Sequence, residues 1–200
     1  MSNGLLPRAI VHEWSEAIGA DQASHASSLN RLLKDQRRLS RFVEENRGSL
    51  QPAASGVAMY LVGVVLRIFD MAGGRLRKAN WSQIREASGR VQQAAVAALP
   101  FDEGFADRIR EVSWRAQPHI LDEAIMALFD REPNEDEDID LANEEALKIF
   151  LLMWVVTEAL DANWSPPKNL ALDSEYAYVH IEPSTDEDEA DEADEAAPAE

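Results

Sequence analysis

Apolar side chains recur along most of this chain at intervals of three and four, the spacing that lines one face of an α-helix. Ala, Leu, Arg, Glu and Gln dominate the body and β-branched runs are rare, which favours helix throughout. The pattern predicts about seven helices. The first spans Pro7–Ile18, with Pro7 suited to a first turn and Gly19 to an end. Asp21 caps a second, long helix ending near Arg47–Gly48, and a third runs from Pro52 to Asp70 or Met71 before Gly73-Gly74. Asn80 caps a fourth, Trp81–Leu99, with Gln83 three residues on in a capping-box arrangement and Pro100 as its stop. Asp102 caps a fifth, Glu103–Ala116. Pro118 opens a sixth, His119–Asp130, and Asp140 caps a seventh, Leu141–Ala162.

The third and seventh helices differ from the rest. Val57, Leu61, Val62, Val64, Val65, Leu66, Ile68 and Phe69 cover nearly the whole circumference of the third, and Ile149 to Val156 do the same for the seventh. A helix apolar all round is buried on most sides, so these two form the centre of an irregular all-α bundle and the amphipathic helices surround them. Each carries one charge beside its apolar run, Arg67 and Glu158. A lone buried charge is costly and a paired one tolerable, so the two are expected to meet.

After Pro166-Pro167 the period changes. In Glu175–Glu182 the residues alternate, with Tyr176, Tyr178 and His180 on one side and Ala177, Val179 and Ile181 on the other. This is a strand pattern with no obvious partner. The segment either lies extended across the bundle or docks on another protein's sheet edge through Tyr176, Tyr178, Val179 and Ile181. From Pro183 onward only Asp, Glu, Ala, Pro, Ser and Thr occur, too polar to build a core. The expected organisation is a helical domain over 1–168, an extended segment over 169–182 and a disordered acidic tail over 183–200.

Charge sharpens this picture. The 200 residues carry 19 Lys and Arg against 37 Asp and Glu, a net charge of −18. That figure argues against anionic partners for the molecule taken whole. Its distribution does not. Residues 1–128 hold 16 basic and 14 acidic residues, and residues 31–90 hold 12 basic and 5 acidic. The acidity sits in Asp130–Asp140 and in Glu182–Glu200, which has 10 acids and no base. The chain is a mildly basic body with acidic appendages.

Cysteine is absent, which removes disulfides, Cys-ligated metals and thiol catalysis. The N-terminus has no basic region followed by a long apolar one. The longest charge-free stretch, Gly48–Leu66, is broken by Gln51, Pro52, Ser55, Gly56 and Gly63. A bilayer needs about 20 mostly apolar residues, so both apolar runs read as buried helices, with no membrane and a cytoplasmic location.

Candidate chemistry is sparse. His119, Asp122 and Glu123 share one helix face and could ligate a metal or share a proton, but acids in a first turn also complement the helix dipole. Asp136, Asp138 and Asp140 have the opening spacing of a calcium loop, yet Leu141 stands where its glycine belongs and Leu147 where its glutamate does. No cofactor motif is present. Of the five Trp residues, Trp154 reads as core, while Trp81 and Trp114 suit partly exposed positions. The remaining feature is electrostatic. Arg31, Lys34, Arg38 and Arg41 fall on the face opposite Leu29, Leu32, Leu33, Leu39 and Val43, with Arg37 nearby, and Arg75, Arg77 and Lys78 follow the Gly73-Gly74 turn. These readings favour a non-enzymatic interaction or regulatory protein with another protein as partner. A nucleic-acid-linked regulator, with the acidic tail competing for the basic face, is the alternative. An enzyme or metal protein built on His119, Asp122 and Glu123 stands third.

Overall fold

The structure is a computed structural model and describes residues 3–130 and 141–177. Among these, eight α-helices and two very short strands form an all-α bundle: α1 (Arg8–Ala20), α2 (Gln22–Asp35), α3 (Arg37–Arg47), α4 (Pro52–Ala72), β1 (Arg75–Leu76), α5 (Trp81–Ala97), α6 (Phe105–Arg110), α7 (Pro118–Ile125), α8 (Asn143–Asp161) and β2 (Trp164–Ser165). A wider π turn, Met126–Asp130, continues α7. The candidate calcium spacing at Asp136–Asp140, the cap at Asp140 and the residues Tyr178, Val179 and Ile181 lie outside the described residues.

The two all-round-apolar helices form the centre. α4 packs against α8, and α1, α2, α5 and α7 pack around the pair. Val62, Val65, Leu66, Ile68 and Phe69 of α4 are buried together with Phe150, Trp154, Val156 and Leu160 of α8. Each such side chain contributes roughly 1.5–3 kcal/mol when taken fully from water. By length and composition α4 is the one helix among the described residues able to cross a membrane. Its packing against α1, α2 and α8 gives it the place of a core helix.

Helix ends follow the local chemistry. Asp21 caps α2 by accepting the Ser24 N–H at 3.0 Å. The Asn80 side chain accepts the Gln83 N–H at 3.0 Å, and the Gln83 side chain accepts the Asn80 N–H at 3.0 Å. Asn80→Ala removes half of this box and is expected to cost about 1 kcal/mol of stability, read from urea unfolding. α4 ends on Gly73 and Gly74, both at positive φ (70° and 78°). At Gly74 a side chain is excluded twice, because a Cβ there would also run into the Ser165 carbonyl and Pro167. That close approach lets β1 pair antiparallel with β2, Arg75 opposite Ser165 and Leu76 opposite Trp164.

Three sequence expectations are corrected. The long second helix is two, broken at Gln36 (φ −103°, ψ 49°). The fifth helix shrinks from Glu103–Ala116 to Phe105–Arg110, because the 111–117 segment leaves helical geometry to meet α8. Arg67 and Glu158 do not meet. Glu158 accepts from Arg90, Trp154 and the Ala116 N–H instead, and the Arg67 Nη1 has no hydrogen-bond partner among the described residues.

A buried histidine adds a pH response. His25 packs between α2 and α4, close against Gly63 and the Tyr60 ring, and neither ring nitrogen has a hydrogen-bond partner among the described residues. Burial, with Arg67 adding repulsion, holds its pKa below the usual value. The unfolded chain therefore binds this proton more readily than the folded one, so stability falls as pH drops below about 6.5. The comparison of wild type with His25→Gln in melting temperature between pH 7.5 and 5 checks this, and the variant is expected to lose less over that window.

Candidate functional site

The break at Gln36 positions the cations. Gln36 falls on the apolar face of its helix, four residues after Leu32 and three before Leu39, and is buried. Its carboxamide replaces a strand partner: Nε2 donates to the Arg77 carbonyl at 3.1 Å and Oε1 accepts the Ala79 N–H at 3.0 Å. Two segments about 40 residues apart in sequence are thus locked together. Arg37 and Arg38 directly follow Gln36, and Arg77 and Lys78 directly precede or flank the bonded backbone. Arg77 N–H also donates to the Asn163 carbonyl at 2.9 Å, which ties the same segment to the end of α8.

Not all seven predicted cations are equivalent. Arg31 pairs with Asp70 at 2.7 Å, and Arg41 with Glu45 one turn along its own helix at 2.8 Å. Lys34, Arg38, Arg75, Arg77 and Lys78 are exposed and form no ion pair among the described residues, and the same holds for Arg37. Lys34, Arg37 and Arg41 border an open groove with Asn30, Leu33, Ser40 and Glu44. Beside it, Arg31 and Asp70 border a smaller hollow with Asp35, Gln36, Gly73, Gly74 and Leu76. Gln36 thus joins the backbone that carries Arg37 and Arg38 to the backbone that carries Arg77 and Lys78.

A second polar assembly lies around the 110–118 segment. A cleft of about 410 Å³ opens there between Arg90, Trp114, Arg115, Gln117, Asp161 and Tyr176. Gln117 adopts a left-handed conformation (φ 45°, ψ 58°), uncommon for a residue with a Cβ. Its amide accepts the Leu6 N–H at 2.8 Å and donates to the Gly4 carbonyl at 3.0 Å and to Asp161 at 2.8 Å. Asn3 donates to the Asp161 and Trp164 carbonyls, each at 3.0 Å. Asp122 accepts from Arg115 at 3.3 Å and from the Tyr176 hydroxyl at 2.8 Å, and the Arg115 guanidinium lies over the Tyr176 ring. Leu5 and Asp173 exchange backbone hydrogen bonds of 2.9 and 2.8 Å. Residues 3–6 and 173–176 are clasped to the bundle by this network.

No protein-family model, curated protein or solved structure matches this chain.

The clasp explains what becomes of the candidate catalytic residues. His119 and Asp122 are both buried, but Glu123 turns to His12 at 3.2 Å, so the three do not converge. The His119 Nδ1 stands 3.8 Å from Asp122, beyond hydrogen-bonding distance. Among the described residues no cluster of His, Asp and Glu has the arrangement to hold a metal ion. Burial pushes Asp122 upward, yet His119, Arg115 and Tyr176 beside it outweigh that and hold it below the usual aspartate range. Burial raises Glu158 against the hydrogen bonds it accepts, and raises Asp161 against Gln117 and Asn3. Burial, with Asp122 adjacent, pushes the Tyr176 hydroxyl up to about 12.

Tyr176 therefore faces the body of its own chain, which removes it from the candidate docking edge; the segment up to Ala177 lies across the bundle. Trp154 is fully buried, and Trp114, 38% exposed, stacks on it with rings 5.4 Å apart. The sequence does carry signals for Gln36 and Gln117: a polar residue on an apolar helix face, and a residue before proline, which is steered away from helical backbone. Nothing local marks Arg115, whose role depends on contacts made across the fold.

Proposed function

We propose that this is a non-enzymatic interaction protein of the cytoplasm whose working surface is the cationic area around Gln36, and that its partner is the phosphate backbone of a nucleic acid. The observation that supports the reading is that six exposed cations, Lys34, Arg37 and Arg38 with Arg75, Arg77 and Lys78, lie on two segments joined through Gln36 and form no ion pair among the described residues. Four of the six are Arg, whose planar fork matches phosphate oxygens. The groove beside them offers Leu33 as its only apolar residue among those described, whereas a protein interface is centred on a buried aromatic or aliphatic anchor. The overall negative charge does not forbid this. At physiological salt the Debye length is about 8 Å, so an approaching partner feels the nearest charges.

Fluorescence anisotropy of a labelled 20-base-pair DNA duplex, titrated with the full chain over a salt series, tests the reading. Binding should weaken linearly in log salt, and Arg38→Ala or Arg77→Ala should each lower that slope by about 1 irrespective of duplex sequence. If the quadruple change of Arg37, Arg38, Arg77 and Lys78 to Ala leaves binding unaltered, the assignment to this surface is wrong. If poly-glutamate binds and the duplex does not, the partner is an acidic protein.

A further inference from the structure

We propose that the cleft between Arg90, the 110–118 segment and Tyr176 is a binding site for a small organic acid, a carboxylate carried on a flat apolar body. None of the residues lining it belongs to the segments that carry Lys34, Arg37, Arg38, Arg75, Arg77 and Lys78, so the site is separate from the surface proposed above and does not rest on it. Size is the first argument. At about 410 Å³ the cleft falls within the range of small-molecule pockets, roughly 300–1,000 Å³.

Charge is the second. Arg90, Arg110 and Arg115 line the cleft together with a single carboxylate, Asp161, which already accepts from Gln117 at 2.8 Å and from Asn3 at 3.3 Å. The side chains of Asp122 and Glu158 are each 3% exposed and do not line the cleft. Arg110 pairs with Asp107 at 3.0 Å and Arg115 with Asp122 at 3.3 Å, which makes Arg90 the principal contact for a ligand. Glu158 holds Arg90 in place. Its Oε1 accepts the Ala116 and Trp154 N–H groups and its Oε2 accepts from Arg90 Nη2 at 3.0 Å, while the guanidinium lies 4.9 Å over the Trp114 ring. That is the one hydrogen bond Arg90 makes among the described residues, and its side chain is 47% exposed. The remaining N–H donors of a planar fork fixed in this way match a carboxylate. Arg115, buried and also lining the cleft, has an Nε with no hydrogen-bond partner among the described residues.

The rest of the lining describes the body of the ligand. Leu5, Val112, Trp114 and Pro118 give apolar surface, and the half-exposed Trp114 is backed by the buried Trp154. The Ser113 and Ser174 hydroxyls line the cleft and make no hydrogen bond among the described residues. A few placed polar groups beside an aromatic wall make the usual pattern of a small-ligand site. The site is also preformed. Gln117 ties its wall to Leu6, Gly4 and Asp161, and Tyr176 is bound to Asp122, so a ligand has little left to order.

Equilibrium dialysis of the full chain against β-naphthoate, β-naphthamide and inorganic phosphate tests this. Naphthoate should bind in the micromolar range. Naphthamide, the same flat body without the charge, should bind about tenfold more weakly, the scale of a hydrogen bond to a charged group. Phosphate, which lacks the apolar body, should also bind more weakly. Arg90→Lys keeps the charge and loses the fork, so it should weaken naphthoate about tenfold and leave naphthamide unchanged. Because Arg90 also serves Glu158, two variants at exposed positions fill the cleft without touching that pair: Ser113→Trp and Ser174→Trp should each weaken naphthoate about tenfold with the melting temperature unchanged. Changing Arg37, Arg38, Arg77 and Lys78 to Ala should leave naphthoate affinity as it was. No binding of naphthoate up to millimolar concentration, equal affinity for naphthamide or for phosphate, or affinity undiminished in both Trp variants would each overturn the proposal. So would a loss of naphthoate binding on removal of the four cations, which would place the acid on the other surface.

Discussion

Replacing Asp122 by Ala is expected to lower the free energy of unfolding by about 3–5 kcal/mol, the typical result of stripping one partner from a buried ion pair. Arg115, only 5% exposed, would keep its charge with no carboxylate against it, and the Tyr176 hydroxyl would lose its acceptor. Paired removal should be much milder, since a buried ion pair exchanged for apolar side chains of similar volume is often neutral. Guanidinium unfolding of Asp122→Ala, Arg115→Met and the Asp122→Leu/Arg115→Met double variant makes the comparison. A single variant no worse than the double would mean that water reaches Arg115 and that the clasp is loose. The sign with pH follows from the depressed pKa: the Asp122 contribution is present above about 3.8 and is lost as pH falls toward the lower value of the folded state.

Gln36→Leu is the second large effect, and it acts on fold and surface together. Leu fits the apolar face between Leu32 and Leu39 and removes the reason for the helix break, so α2 and α3 should run on as one helix. The Ala79 N–H, buried with its residue, is left without an acceptor, and the Arg77 carbonyl loses its donor. An unsatisfied buried group of this kind costs about 1–3 kcal/mol. The 75–78 turn would also lose its attachment beside Arg37 and Arg38, and duplex binding should weaken about tenfold, the equivalent of 1.4 kcal/mol. Hydrogen exchange at the Ala79 amide reports the first effect and anisotropy the second. An unprotected Ala79 amide with unchanged duplex affinity would show that the two cationic segments act independently.

Long, strongly patterned elements are legible in the sequence. α4 and α8 follow from runs apolar on every side, and the α5 cap follows from Asn80 and Gln83, because both depend on residues close together along the chain. The misreadings share one cause. Gln36, Glu158 and the 111–117 segment take their positions from partners about 40 or more residues away, and local propensity carries no record of those. A helical pattern across Gln36 is correct for the peptide taken alone. It is overruled because the backbone of 77–79 needs a hydrogen-bonding partner and the carboxamide supplies two bonds. Arg67 and Glu158 each read as charges that need an answer. The answer for Glu158 comes from the chain's own loop and from Arg90, which periodicity alone cannot rank above Arg67.

The clasp also sets an order of events during synthesis. Leu6, Gly4 and Asn3 leave the ribosome long before their hydrogen-bonding partners Gln117, Asp161 and Trp164, and Leu5 waits for Asp173. A nascent chain can form α1 to α5 early, but α4 has no α8 to pack against until Asn143–Asp161 has been made. For that interval the most apolar helix of the molecule is exposed, the condition under which growing chains depend on holding factors. The same dependence makes the last clasped residues a checkpoint: a chain cut short before Asp161 retains the apolar helix without its cover, and should be handled by the cell as unfinished.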